Sequence, residues 1–381
     1  GNDSTFIFLQ DILTEIMEIF PSEYIHIGGD EAPKFRWEHC AKCQKRIHTE
    51  KLKDEHELQS YFIQRIEKFL NSKGRKLIGW DEILEGGLSE NATVQSWRGM
   101  DGGLAAARDS HYVIMSPTSH CYLDYGLDAI DLKKVFEFNP IPEGLDPKLH
   151  KYILGAECNM WTEHVPDEKN LDSKVFPRLI ALAEVLWANP QKNDFDDFYL
   201  RLQKHYLVLE LFGVMYGTET VAAKIETNCE DQEIYIEINK NLEDLEIKYR
   251  WVCNECDTNF TIYTERLPLN KSGLLEVRAY KKGKLYGEPI FQKIENHLGL
   301  YSPTTYKNQY NDWYKGGENF GLVDGKLGSS NFRDGNWQGF WGTDLDVILD
   351  FGEQKTISEI TMHFLEYNNA CLLYTSDAAD E

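Results

Sequence analysis

The sequence predicts an α/β fold followed by all-β regions, and three observations predict it. Over residues 1–215, short apolar runs alternate with stretches carrying apolar residues at the helical period, as in strands joined by helices. Each of five strand-like runs ends near Trp, Tyr, Asp or Glu, and no hairpin turn separates neighbours. That pattern points to a parallel sheet whose C-terminal edge gathers polar and aromatic groups. From about residue 222 the pattern changes to polar–apolar alternation, the period of half-buried strands. A chain of 381 residues, 42% hydrophobic and 27% charged, is a folded chain with room for two or three domains.

Taken in order, residues 5–20 place Leu9, Ile12, Leu13, Ile16, Ile19 and Phe20 on one helical face, and Pro21 stops the helix. The run 24–28 is a buried strand that ends in Gly28-Gly29, followed by Asp30-Glu31. A second helix covers 55–72, with Leu58, Tyr61, Phe62, Ile66, Phe69 and Leu70 on its face and Gly74 as its stop. Strands follow at 76–82, 93–97, 111–116 and 152–157, with a short Ala-rich helix over 102–109. Helices over 173–188 and 195–211 close the region. Five strands of this kind are part of a (β/α)8 TIM barrel, so three βα units are expected before residue 1, and the chain reads as a piece of a longer one. Residues 222–297 read as an antiparallel β-sandwich with strands at 233–238, 245–251, 258–263 and 274–280. Residues 301–370, with short runs between Gly and Asp turns, read as a further, incomplete β-sandwich, and 371–381 as a non-native tail without structure.

The formal charge of −23, from 40 basic and 63 acidic residues, argues against nucleic acid or an anionic membrane as partner. No apolar run reaches the roughly 18 residues of a membrane span. Eight cysteines are too few for a disulfide scaffold. The two C-x-x-C pairs, Cys40/Cys43 and Cys253/Cys256, each lack two ligands of a zinc site. Free thiols or one local disulfide are expected, with no metal and no cofactor.

Asp30 and Glu31 cannot be the usual facing pair of glycosidase carboxylates, which stand roughly 5–5.5 Å apart across the bond they cleave. Neighbours on an extended chain point to opposite sides. One can therefore protonate a leaving oxygen while the other holds a different group. Asp81 and Glu82 look like a helix-cap pair, and His26 like a satisfied or supporting histidine.

The run His26-Ile27-Gly28-Gly29-Asp30-Glu31 resembles the H-x-G-G-D-E signature of family 20 glycoside hydrolases, the β-N-acetylhexosaminidases. Gly79-Trp80-Asp81-Glu82, Ser96-Trp97-Arg98-Gly99, Tyr122-Leu123-Asp124 and Trp161-Thr162-Glu163 resemble the later motifs of that family, in its order, and the likeness covers roughly residues 1–190. The resemblance implies exo-hydrolysis of terminal β-linked GlcNAc or GalNAc with retention, through an oxazolinium formed by the substrate's own acetamido group. It implies Glu31 as general acid and base, and Asp30 as the group that orients the acetamido N–H. Tyr122 would donate to the acetamido oxygen, Trp80, Trp97 and Trp161 would wall the acetyl pocket, and Asp124 and Glu163 would accept from sugar hydroxyls. The Trp wall is expected to disfavour an ionised Glu31. The family's sugar-binding Arg near the first barrel strand has no counterpart in this chain.

Residues 222–297 resemble the immunoglobulin-like sandwich that follows the barrel in many bacterial members. Residues 303–367 resemble the start of a discoidin-type (F5/8 C) carbohydrate-binding module. The implied partner is a glycan or glycoconjugate ending in N-acetylhexosamine. The implied location is periplasmic, outer-membrane surface or secreted in a bacterium. A non-catalytic glycan-binding protein with a decayed or truncated barrel, and a two-carboxylate glycosidase pairing Glu31 with Glu163, are the alternative readings.

Overall fold

The computed structural model describes residues 1–188, 194–252 and 259–365, and divides into two compact units, Gly1–Thr220 and Val221–Glu381.

The first unit opens with helix α1 (Asp3–Ile19), capped by Asn2, whose side chain accepts from the Ser4 N–H. Strand β1 (Tyr24–His26) follows, then α2 (Phe35–Glu38), α3 (Ala41–Glu50) and α4 (Glu55–Ser72). Asp54 caps α4 through the Glu57 N–H at 3.0 Å, and Gly74, at φ +72°, turns the chain out of it. Then come β2 (Lys76–Trp80), β3 (Thr93–Ser96), α5 (Asp101–Arg108), β4 (Val113–Met115), α6 (Leu132–Phe136) and β5 (Ile153–Ala156). Helices α7 (Glu168–Val175), α8 (Arg178–Trp187) and α9 (Phe195–Leu211) complete the unit. The five strands form one parallel sheet in chain order, with Ile25 opposite Leu77, Ile78 opposite Thr93, Val94 opposite Val113, and Val113 opposite Ile153.

Three expectations need correction. The strand expected over 76–82 ends at Trp80, because Asp81–Leu84 turns into a 3-10 helix. The single helix expected over 173–188 is two, α7 and α8. Proline has no N–H to continue a helix, and Pro177 stands at the start of the second one. Helices α3 and α6 were not foreseen, because both are short and their apolar residues do not stand out from the surrounding charge.

Leu70, Leu77, Val94, Ala106, Val113 and Met115 are fully buried where helices meet the sheet. Phe8, Ile12, Ile16 and Ile19 of α1 remain exposed, as do Leu200, Leu207, Val208 and Leu211 of α9. Among the described residues no helix is long and apolar enough to cross a membrane.

Glu67, on α4, is buried and accepts from the Asn91 N–H at 3.0 Å. Burial raises its pKa above the ordinary carboxylate value. A carboxyl whose pKa rises on folding adds stability at pH below its unfolded pKa, and this is lost as pH climbs through the folded pKa. Glu67→Gln keeps the acceptor and removes the ionisation. It is expected to raise stability at neutral pH by an amount on the order of 1 kcal/mol and to leave acid stability unchanged, read from denaturant midpoints across pH.

The second unit is antiparallel. Strands β6 (Ala223–Glu230), β7 (Glu233–Lys240) and β10 (Leu267–Pro268) form one sheet. In a second sheet, β8 (Leu245–Val252) lies between β9 (Thr261–Ile262) and β11 (Gly273–Lys281), which turns into β12 (Lys284–Leu285) and also pairs with β13 (Ile290–Ile294). Strand β15 (Lys326–Leu327) pairs with β13, so residues from beyond 301 extend this sheet. Strands β14 (Thr304–Tyr306) and β16 (Val347–Leu349) form a separate pair. Ile236, Leu275, Val277 and Ile294 lie at the centre of the core. Cys253 and Cys256, and the tail at 371–381, lie outside the described residues.

Candidate active site

The sequence-predicted residues cluster on the loops that leave the C-terminal ends of β1 to β5. The β1–β2 ladder continues past both strands: Ile27 N–H donates to Ile78 O and Trp80 N–H to Gly28 O, each at 2.9 Å. The chain then turns sharply, with Gly28 at φ +73°, Gly29 at +101° and Glu31 at +45°. Positive φ is ordinary for glycine and strained for glutamate. Side chains fix this turn. His26 Nδ1 accepts from Gly28 N–H at 3.0 Å, and buried Gln59 donates to Gly29 O at 2.8 Å. Ile83, fully buried, occupies the space the glycines leave. A Cβ on Gly29 or Gly79 would come within 2.8 or 2.7 Å of its Cγ2. Asp30 and Glu31 stand exposed on the rim. The expected enclosure of Glu31 by tryptophan is therefore corrected: the turn lifts its carboxyl into solvent.

Asp81 and Glu82 are not a cap pair. Buried Asp81 accepts from the backbone N–H groups of Trp97 and Arg98 at 3.2 and 3.3 Å, and from Arg98 Nε at 2.6 Å. Glu82 accepts from the Trp97 indole at 2.9 Å, and burial raises its pKa. The two carboxyls thus hold Trp97 in place from the neighbouring strand end.

The aromatics form two pairs. Trp80 and Trp161 lie 6.3 Å apart between ring centroids, and Trp97 and Tyr122 lie 6.2 Å apart. His26 packs edge-on against Trp80 at 4.8 Å. Trp80 and Trp161 line a groove of about 480 Å³ together with Tyr24, His26, Gln95, Glu157 and Asn159. The hydroxyl of buried Tyr122 lies against the Trp161 indole and the Asn159 amide, which joins the two pairs; burial raises its pKa, so the phenol keeps its proton. Asp30, Glu31, Trp97, Tyr122, Asp124 and Glu163 do not line this groove. Asp124 is half-buried and accepts from the Trp161 N–H, burial raises its pKa, and its Oδ1 is buried without a partner. Glu163 is exposed on the 3-10 turn Thr162–His164. It does not cap the next helix, since Asp167 does.

Several supporting residues escaped sequence reasoning. Arg178 of α8, fully buried, donates to the carbonyls of Lys174, Tyr125, Ile130 and Leu123 and so ties down the loop that carries Tyr122 and Asp124. Lys174 Nζ donates to Asp124 O at 2.6 Å. Gln95 Nε2 bridges Ser116 and Glu157 at 3.0 and 3.1 Å. The visible signal was an Arg opening a mostly apolar helix and polar residues inside apolar strands. Cys40 and Cys43 are free thiols, and no cluster of three or more His, Cys, Asp or Glu that could hold a metal occurs among the described residues.

A parallel sheet with carboxylates and paired aromatic rings on its C-terminal loops has the layout in which α/β domains place a functional site. Residues 1–190 match glycosyl hydrolase family 20, catalytic domain. The chain is 47% identical over 228 residues to a beta-hexosaminidase of Porphyromonas gingivalis, covering 57% of this chain and 29% of that protein. It is 35% identical over 195 residues to a beta-hexosaminidase of Vibrio furnissii, covering 47% of this chain and 32% of that one. The chain thus spans under a third of the length of either curated relative. Among solved structures, a beta-N-acetylhexosaminidase from Bacteroides fragilis superposes with a TM-score of 0.52 at 35% identity, over 58% of this chain and 47% of that one. An exo beta-N-acetylglucosaminidase from Vibrio harveyi, in complex with N-acetylglucosamine, superposes with a TM-score of 0.52 at 30% identity, over 56% and 36%.

Proposed function

We propose that the protein carrying this chain is an exo-β-N-acetylhexosaminidase that releases terminal β-linked GlcNAc or GalNAc from glycans with retention of configuration. The observation that carries the reading is the pair of aromatic contacts, Trp80 with Trp161 and Trp97 with Tyr122, on loops beside the Gly28–Glu31 turn. Flat rings give apolar faces to an acetyl group and a sugar ring, and the Tyr122 phenol is a donor for an amide oxygen.

In the first step Glu31 protonates the glycosidic oxygen while the substrate's acetamido oxygen attacks the anomeric carbon. The C–O bond to the leaving group breaks and an oxazolinium forms. Asp30 accepts the acetamido N–H and balances the developing positive charge. In the second step Glu31, now a carboxylate, takes a proton from water as the water oxygen attacks the anomeric carbon and reopens the ring. The unpartnered Oδ1 of Asp124 suits a sugar hydroxyl donor, and Glu163 stands nearby on the same rim. No cofactor enters these steps.

The proposal extends to architecture. Five parallel strands in chain order, with uncovered apolar faces on α1 and α9, support a partial (β/α)8 barrel whose first three βα units lie elsewhere in the protein. The β14–β16 pair, with Trp313 and Trp341 strongly exposed nearby, supports reading residues 301–370 as part of a discoidin-type carbohydrate-binding module. A periplasmic, outer-membrane or secreted location completes the reading, because glycan ends of this kind lie outside the cytoplasm.

The test uses the protein carrying the chain and two aryl substrates. An aryl 2-acetamido-2-deoxy-β-glucoside is expected to be hydrolysed, and the matching plain β-glucoside left intact. A thiazoline mimic of the oxazolinium is expected to inhibit competitively. Equal rates on the two substrates would remove the acetamido group from the mechanism.

A further inference from the structure

Asn159 does two separate things in the fold, and only one of them is structural. Its backbone makes an isolated parallel bridge with Tyr122: Asn159 N–H donates to Cys121 O at 2.9 Å, and Leu123 N–H donates to Asn159 O at 2.9 Å. Those two bonds hold Tyr122 from both sides and do not involve the side chain. The residue is 8% exposed and lines the groove with Trp80 and Trp161. Its Nδ2 is buried without a hydrogen-bond partner. A buried amide donor left unsatisfied is costly, and it persists where a partner is supplied by another state of the site.

The partner at hand is the Tyr122 oxygen, against which both the Asn159 amide and the Trp161 indole lie. An indole N–H and an amide NH2 can only donate, whereas a phenol has one O–H and accepting lone pairs. Two donors closed onto one phenol oxygen would occupy its lone pairs and leave its single hydrogen no inward acceptor. We infer that Asn159 is a positioning residue for Tyr122: its side-chain amide closes onto the phenol oxygen when the site fills and turns the phenol hydrogen toward the ligand's amide oxygen. The inference rests on the acetamido reading of the site and assigns a residue that the motif resemblance does not include. Tyr122 remains the group that touches substrate, and Asn159 sets the direction of its hydrogen.

The experiment is a double-mutant cycle in the protein carrying the chain, with kcat and KM measured separately on an aryl 2-acetamido-2-deoxy-β-glucoside. Asn159→Asp replaces the donor with an acceptor that draws the phenol hydrogen inward, and Asn159→Ser shortens the side chain without adding charge. Each is expected to lower kcat about tenfold with KM little changed, Asn159→Asp the more. Added to Tyr122→Phe, neither is expected to lower kcat further, since the hydrogen being oriented is gone. Thermal midpoints are read alongside, and Asn159→Ser carries the test if the charged variant unfolds. Wild-type kcat in both single variants overturns the inference, and so does a loss of equal size with and without Tyr122→Phe. A Tyr122→Phe variant that keeps wild-type kcat overturns the acetamido reading itself, which separates the two failures.

Discussion

Glu31→Gln is expected to lower turnover of an aryl 2-acetamido-2-deoxy-β-glucoside by about 10²–10⁴-fold, with KM changed far less. Glutamine keeps the size and hydrogen-bonding reach of the side chain and loses only the transferable proton. The proposed mechanism uses that proton twice, once for the leaving oxygen and once from water. The geometry concentrates the effect on chemistry, because Glu31 stands exposed on the rim of the turn and lines no part of the Trp80–Trp161 groove. Removing its proton should therefore leave the aromatic contacts to the sugar intact. An aryl leaving group with a low pKa needs little protonation, so the first step should suffer less with it than with an alkyl glycoside. A Glu31→Gln variant that turns over both substrates at wild-type rates would transfer the acid role to another carboxyl on the same rim, Glu163 first.

Arg178→Met is expected to be the most disruptive substitution for stability, costing about 3–5 kcal/mol and lowering the thermal midpoint by about 10 °C. Among the described residues no carboxylate forms an ion pair with Arg178; its guanidinium donates to four main-chain carbonyls. Methionine fills much of the volume and leaves the carbonyls of Leu123, Tyr125 and Ile130 buried without those donors. Arg178→Lys should recover only part of the loss, because a single ammonium cannot span the fork of positions that a planar guanidinium reaches. The released loop carries Tyr122 and Asp124, so kcat should fall along with stability. Unfolding of Arg178→Met at the wild-type midpoint would show that the loop is held by its other contacts, such as Lys174 Nζ on Asp124 O.

The parallel sheet was legible because its signal is local. Each strand is a short apolar run, each helix α1 and α4 has a clear face with a cap at one end, and the order of strands in the sheet is the order in the chain. The aromatic residues at the strand ends were legible for the same reason: Trp80 ends such a run, Trp97 follows one directly, and Trp161 comes a few residues past another. What was not legible depends on contacts across the fold. Gln59 is about thirty residues from Gly29, whose carbonyl it binds, and Arg178 is about fifty from the loop it holds. Neither spacing has a sequence signature. Asp81 and Glu82 were misread as a cap pair because a pair of acids before a helix-like turn looks the same whether it caps that turn or reaches across to Trp97 and Arg98. The left-handed backbone of Glu31 was also invisible, since only the glycines before it announce a turn.

Gly29, Gly79 and Ile83 share one small volume beneath the turn that bears Asp30 and Glu31. In evolutionary terms the three positions make a single heritable block. A methyl group at either glycine would collide with Ile83, at Gly29 the left-handed backbone would strain a side chain even beside a smaller residue, and a shrunken Ile83 alone leaves a hole beneath the turn. Every single-step path away from the present trio first passes through a damaged intermediate. Drift at these positions is therefore blocked by epistasis rather than by any contact with substrate, and lineages that keep the turn should keep the trio together.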